Sequence, residues 1–158
     1  MAHEFEADVD EVAATLLDHD FQAALKDIGA LAGREVLSQE EEDGQIVRRV
    51  RCLLDIDVNG LVRKFIGDAD PAWVEVGRWD PSDSTWRWHI EPEAAADMLH
   101  ADGQTVLIPS GRGTIRKVTG TVKVKVPIYG GKVEGWIIDG LERAYDEEAV
   151  HLEEWLSS

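Results

Sequence analysis

The chain has one cysteine, Cys52, among 158 residues. A single thiol excludes an intramolecular disulfide, a CxxC redox centre and a cysteine-rich zinc site. Basic residues are also scarce, 16 against 32 acidic ones, for a net charge of -16. That balance repels the phosphate backbone of nucleic acid and the anionic face of a membrane, so neither is expected as a partner. No apolar run approaches the ~20 residues that cross a bilayer. The acidic start, Met1-Ala2-His3-Glu4-Phe5-Glu6, lacks the basic and apolar blocks of a secretory signal. A soluble protein of the cytoplasm is expected.

Signatures of catalysis are missing as well. His3, His19, His89, His100 and His151 show no HExxH or comparable ligand spacing, so no metal is expected. Gly111-Arg112-Gly113 has too few glycines for a phosphate loop, is not followed by Lys-Ser or Lys-Thr, and joins two strands. No nucleotide or other cofactor is expected from it. No GxSxG nucleophile motif occurs, and Cys52 lies mid-strand, where a buried, inert thiol is the natural state.

What the chain does have is apolar area. Six tryptophans and an apolar content of 44% are enough to offset chain entropy in spite of the charge. The length suits a single domain over residues 1–158. His3 to Asp8 alternates around Phe5 and Ala7 as a first strand. Asp8 or Asp10 then caps a helix carrying Val12, Leu16 and Leu17, and Asp20 caps another carrying Phe21, Leu25 and Ile28. Arg34 to Gln39 and Gln45 to Asp57 form a predicted hairpin around the acidic tip Glu40-Glu41-Glu42-Asp43-Gly44, with Asp43-Gly44 the strongest turn signal in the chain. Asn59 to Gly67 is a short helical turn or edge segment. Trp73 to Trp79 and Thr85 to Ile90 make a second hairpin, Pro92 to Ala101 permits a helical turn or an irregular strand, and Gln104 to Pro109 is again strand.

The last third fixes the architecture. From Val118, the residues Val118, Gly120, Val122, Val124 and Val126 fall on one face and Thr119, Thr121, Lys123 and Lys125 on the other, the period of a half-buried strand. After Pro127-Ile128-Tyr129-Gly130-Gly131 a helical pattern runs to Leu156. The strand from Thr114 to Val126 spans about 43 Å and the helix about 39 Å. Elements of matching length, joined by a tight corner, bury the helix's apolar side against the strand's own sheet.

This order of elements resembles the START-like, or SRPBCC, superfamily. So do the turn Gly111-Arg112-Gly113-Thr114, the strand Val122-Lys123-Val124-Lys125-Val126 and above all Pro127-Ile128-Tyr129-Gly130-Gly131-Lys132-Val133-Glu134. Within the superfamily the pattern is most similar to the DUF2505 family. The resemblance implies an α+β helix-grip fold: a bent antiparallel sheet of about six to seven strands around a long C-terminal helix, with two short helices after the first strand. It also implies an elongated apolar cavity between sheet and helix.

Projected at about 100° per residue, the C-terminal helix carries Ile137, Ile138, Leu141, Ala144, Tyr145, Leu152, Trp155 and Leu156 on one arc. Glu134 and Glu148 project into that arc, where a carboxylate needs a partner or a raised pKa. Glu134 sits in the first turn, where the helix dipole favours it; Glu148 has no such reason and is either paired at the sheet edge or a polar anchor in a ligand cavity. On the sheet, Arg48 shares a row with Ile46, Val50, Cys52 and Leu54 and either snorkels at a strand end or meets a helix carboxylate. Alternation leaves open which face is inward, because Val47, Arg49, Arg51 and Leu53 share the other. Trp73, Trp79, Trp86 and Trp88 cluster on two adjacent strands as sheet core, as a ligand wall, or as both. Arg48, Trp86, Trp88, Ile137, Leu141, Tyr145 and Glu148 are the candidate cavity residues.

Three functions compete. The first is non-enzymatic binding of a small hydrophobic or amphipathic molecule. The second, by resemblance to polyketide cyclases and aromatases, is an enzyme using Glu148, Tyr145 or His89 as acid or base. The third is a protein-interaction module whose interior is filled and whose acidic surface meets a basic partner. A filled interior, with no pocket of at least ~300 Å³, counts heavily against ligand binding.

Overall fold

The computed structural model describes residues 1–29, 31–54 and 60–158. Seven strands form one antiparallel sheet in the order β1-β7-β6-β5-β4-β3-β2. They are β1 (Ala2–Phe5), β2 (Leu31–Glu42), β3 (Gln45–Leu54), β4 (Ala72–Asp80), β5 (Thr85–Pro92), β6 (Leu99–Ser110) and β7 (Gly113–Val124). Helices α1 (Val9–Leu17) and α2 (His19–Ala24) follow β1, α3 (Gly60–Ile66) follows β3, and α4 (Gly130–Leu156) ends the chain. This is the helix-grip arrangement. The predicted extension of β3 to Asp57 and the start of the next segment at Asn59 lie outside the described residues. The ambiguous stretch after Pro92 becomes turns, then the start of β6.

Local chemistry accounts for the joints. At the tip of β2 and β3, Asp43 (φ 51) and Gly44 (φ 77) both take the left-handed conformation that a tight hairpin turn demands. Asp8 caps α1 by accepting from the Glu11 amide at 2.9 Å. The cap of α2 is Asp18, not Asp20: its carboxylate accepts from the Phe21 amide at 2.8 Å. The helix begins at His19, so Asp18 has the cap-to-third-residue spacing while Asp20 sits inside the first turn.

The inward face of the sheet is now defined. Val50 pairs with Glu75, Cys52 with Trp73 and Ile46 with Trp79, and Val50, Cys52, Trp73 and Trp79 are buried. Arg49 and Arg51 point outward to Glu91 and Glu93. Indole rings on this face lie over glycines of neighbouring strands: a β-carbon on Gly77 would fall 1.9 Å from Trp86, and one on Gly103 would fall 2.5 Å from Trp88. Small residues there let large rings lie flat against the pleat.

Two apolar clusters hold the layers together. One joins Phe5, Val12, Phe21, Leu25, Trp79, Leu107, Ala149 and Leu152 under α1, α2 and the C-terminal half of α4. The other joins Val50, Cys52, Trp73, Val124 and Ile137 under the N-terminal half of α4. Not all of the predicted arc is covered, for Ile138 and Trp155 are each 39% exposed. Trp155 still meets the Phe21 ring edge-on at 5.6 Å, so α2 covers only part of that ring.

Candidate functional site

Between the two clusters lies a partly open cavity of about 100 Å³. Its walls are largely apolar, from Ala13, Leu16, Leu17, Ile28, Leu31, Trp73, Trp79, Trp86, Leu107, Leu141 and Ala144, with polar groups from Arg34, Arg48, Glu75, Thr105, Tyr145 and Glu148. Of the candidates from the sequence, Arg48, Trp86, Leu141, Tyr145 and Glu148 meet here. Trp88 and Ile137 do not. Trp88 packs against Gly103 and Gly120, and Ile137 belongs to the second apolar cluster. His89 is farther off, about half exposed on the outer face beside Glu91.

The two helix carboxylates find different partners. Glu134 lies just past the first turn of α4, which holds no acidic residue, and instead accepts from the Val124 amide at 2.8 Å, tying the start of α4 to the end of β7. Glu148 pairs with Arg116, a residue only 1% exposed. Arg116 also donates to the Tyr145 carbonyl at 3.0 Å and contacts His3 Nδ1 at 3.2 Å. His3 in turn holds Asp146 at 2.8 Å. The Phe5 and Tyr145 rings lie 5.6 Å from the Arg116 guanidinium carbon. The expectation that Arg48 meets a helix carboxylate is therefore corrected: β7 supplies the arginine, because it packs directly beneath α4.

Arg48 has neutral partners instead. It is 7% exposed, donates to the Leu16 carbonyl at 2.8 Å and to Gln39 Oε1 at 3.4 Å, and lies 4.5 Å from the Trp86 ring centroid, a cation–π contact. Arg34 likewise donates to the carbonyl and side-chain oxygens of Gln22. Among the described residues neither guanidinium has a carboxylate in ion-pair range. Burial, and then repulsion from Arg34, bring the Arg48 pKa down to about 10, so Arg48 still carries its charge at neutral pH. The Nε of Arg48 and the indole N–H of Trp73 are buried without any acceptor among the described residues.

Glu75, like Arg34, Trp73 and Thr105, is a cavity residue absent from the candidates drawn from the sequence. Burial raises its pKa against the lowering pull of Arg48 and Arg34. Alternation carried a signal for it, since Trp73, Glu75, Gly77 and Trp79 share one face of β4. Tyr145 is pushed well above the ordinary phenol range, first by burial and then by Glu75 and Glu148, and so stays a neutral hydroxyl. Cys52 is pushed up to about 12, chiefly by burial, which makes it an inert wall thiol. Among the described residues no group of three or more His, Cys, Asp or Glu side chains is arranged to hold a metal.

The family described as "Protein of unknown function (DUF2505)" matches residues 1–156. Among solved structures, the chain is similar to TTHA0849 from Thermus thermophilus, with 20% identity, a TM-score of 0.69, and coverage of 99% of this chain and 94% of that one. It is similar to the ZhuI aromatase/cyclase from Streptomyces sp. R1128, with 13% identity, a TM-score of 0.65, and coverage of 99% and 91%. It is also similar to a START superfamily protein from Mycobacterium smegmatis, with 17% identity, a TM-score of 0.60, and coverage of 99% and 94%. No curated protein matches. At these identities the likeness establishes the shared START-like fold. No helix among the described residues is long and apolar enough to cross a membrane.

Proposed function

The chain belongs to the DUF2505 family, and we propose that it acts as one domain binding a small amphipathic molecule, without catalysis, in the cavity between sheet and C-terminal helix. One observation carries this reading. The cavity has apolar walls yet encloses Arg34, Arg48 and Glu75, groups whose desolvation a merely structural core avoids. Apolar walls with a few convergent polar groups are the usual composition of a ligand site.

The volume limits what fits. At about 100 Å³ the cavity lies below the ~300 Å³ of common ligand pockets and below the ~150 Å³ that accommodates benzene in an engineered core. It admits a molecule of a few non-hydrogen atoms, or the head of a longer one whose tail extends through the mouth. The same volume favours a second reading, the interaction module with a side-chain-filled interior.

Titration with 1-butanol, followed by the indole N–H signals of the six tryptophans, separates the two. Binding in the cavity shifts the signals of Trp73, Trp79 and Trp86, which line it, and leaves Trp136, 41% exposed on α4, unmoved. Unchanged signals at all six positions with the alcohol, and likewise with the carboxylate and the amine of the same chain length, would overturn cavity binding and favour the module.

A further inference from the structure

We infer that the ligand of this cavity is a small carboxylate, its anionic head received by Arg48 and the Trp73 indole N–H and its apolar body lying against the Trp86, Leu107 and Leu141 walls. The inference rests on the binding reading above and adds the chemical class.

The polar groups of the cavity are out of balance in one direction. Every buried side-chain atom lacking a hydrogen-bond partner among the described residues is a donor: Arg48 Nε, Trp73 Nε1, Trp88 Nε1 and Arg116 Nε. Two of these four, Arg48 Nε and Trp73 Nε1, belong to residues lining the cavity. An unmet buried donor costs about 1–3 kcal/mol, more where the donor is charged. A ligand that supplies acceptors removes that cost, and one that supplies donors does not.

The charges point the same way. The Glu148 carboxylate is matched by Arg116. That leaves Arg34 and Arg48, which among the described residues bond only to amide and carbonyl oxygens, with Glu75 as the cavity carboxyl not already held by an ion pair. Two guanidiniums against one carboxyl leave at least one uncompensated positive charge in a chain whose overall charge is -16. A carboxylate neutralises it and offers two oxygens to a forked donor. A phosphate or sulfate, larger and more highly charged, would meet Glu75 within a cavity of about 100 Å³, which disfavours it. A cation meets the arginines directly. The apolar walls then select among carboxylates for a short aliphatic or small aromatic body.

The test is a set of titrations of the full chain with butyrate, 1-butanol and butylamine at neutral pH and constant ionic strength, followed by the same indole signals. Butyrate is expected to bind at least about tenfold more tightly than the alcohol, the equivalent of one charged hydrogen bond, and butylamine more weakly than either. Arg48→Met should lower butyrate affinity by about tenfold or more while leaving 1-butanol within about twofold. The Leu16 carbonyl keeps its bond from Gln22 Nε2 at 2.6 Å, so the substitution orphans no backbone group there. Should Arg48→Met not fold, Trp73→Phe removes the indole donor without touching charge and is expected to weaken butyrate selectively. Equal binding of butyrate and 1-butanol, or a butyrate affinity indifferent to both substitutions, overturns the carboxylate assignment and leaves cavity binding intact. Failure of all three compounds to shift the Trp73, Trp79 and Trp86 signals overturns both and favours the interaction module.

Discussion

Arg116→Met is expected to lower the unfolding free energy by about 3–5 kcal/mol, the cost of breaking a buried ion pair from one side. Arg116 is 1% exposed and Glu148 only 17%, so removing the guanidinium strands a carboxylate between sheet and helix. The same change removes the donor to the Tyr145 carbonyl and the contact with His3, loosening β1 and β7 from α4 together. The double replacement Arg116→Met with Glu148→Gln is expected to recover most of the loss, because a neutral amide tolerates the site better than an orphaned charge. Urea denaturation of the parent, the two single variants and the double variant measures the coupling. Additive losses would show that the pair contributes little.

Gly103→Ala is the second large effect, with an expected loss of about 3 kcal/mol, at the upper end for overpacking. A β-carbon at position 103 would lie 2.4 Å from the Thr119 carbonyl oxygen, 2.5 Å from the Trp88 ring and 2.9 Å from the Gly120 α-carbon. Two of those neighbours are backbone, and the third is an indole held between strands, so none can move cheaply. Gly103 is paired with Gly120 in the β6–β7 register, and relief would require prising those strands apart. Gly135→Ala is the control. It lies within α4 with nothing within 4 Å of the added carbon, and the substitution should stabilise by about 0.5–1 kcal/mol through helix propensity. Thermal melts of the two variants should move in opposite directions. A Gly103→Ala protein as stable as the parent would contradict the packing described for Trp88.

The architecture is largely legible in residue order because its signals are local. Asp43-Gly44 specifies its hairpin through backbone conformation, and the valine row of β7 and the apolar arc of α4 specify the two elements that must pack. Asp18 is legible too, since a cap is counted back from the first helical residue, and the helix starts earlier than an Asp20 cap implies. Arg116 follows from extending the Val118, Val122 and Val124 row back by two positions, and Glu75 from the face it shares with Trp73 and Trp79. What no local pattern carries is which charge meets which. The Arg116–Glu148 pair spans 32 residues of chain, and Arg48 reaches the Leu16 carbonyl across the same separation. Those partners depend on how deeply α1 and α4 settle into the curl of the sheet. Cavity volume depends on the same seating, as does the position of Trp88 outside the wall that Trp86 helps to form.

The cavity's surplus of buried donors and positive charge makes sense if the protein ordinarily holds an acceptor molecule there. Native mass spectrometry of the protein purified from its own host, without chromatography in organic solvent or denaturant, tests this directly. The expected spectrum contains a reproducible small-molecule adduct that disappears in the Arg48→Met protein prepared alongside it. Repeated recovery of only the bare chain, from cells in which the protein is abundant, would contradict the account.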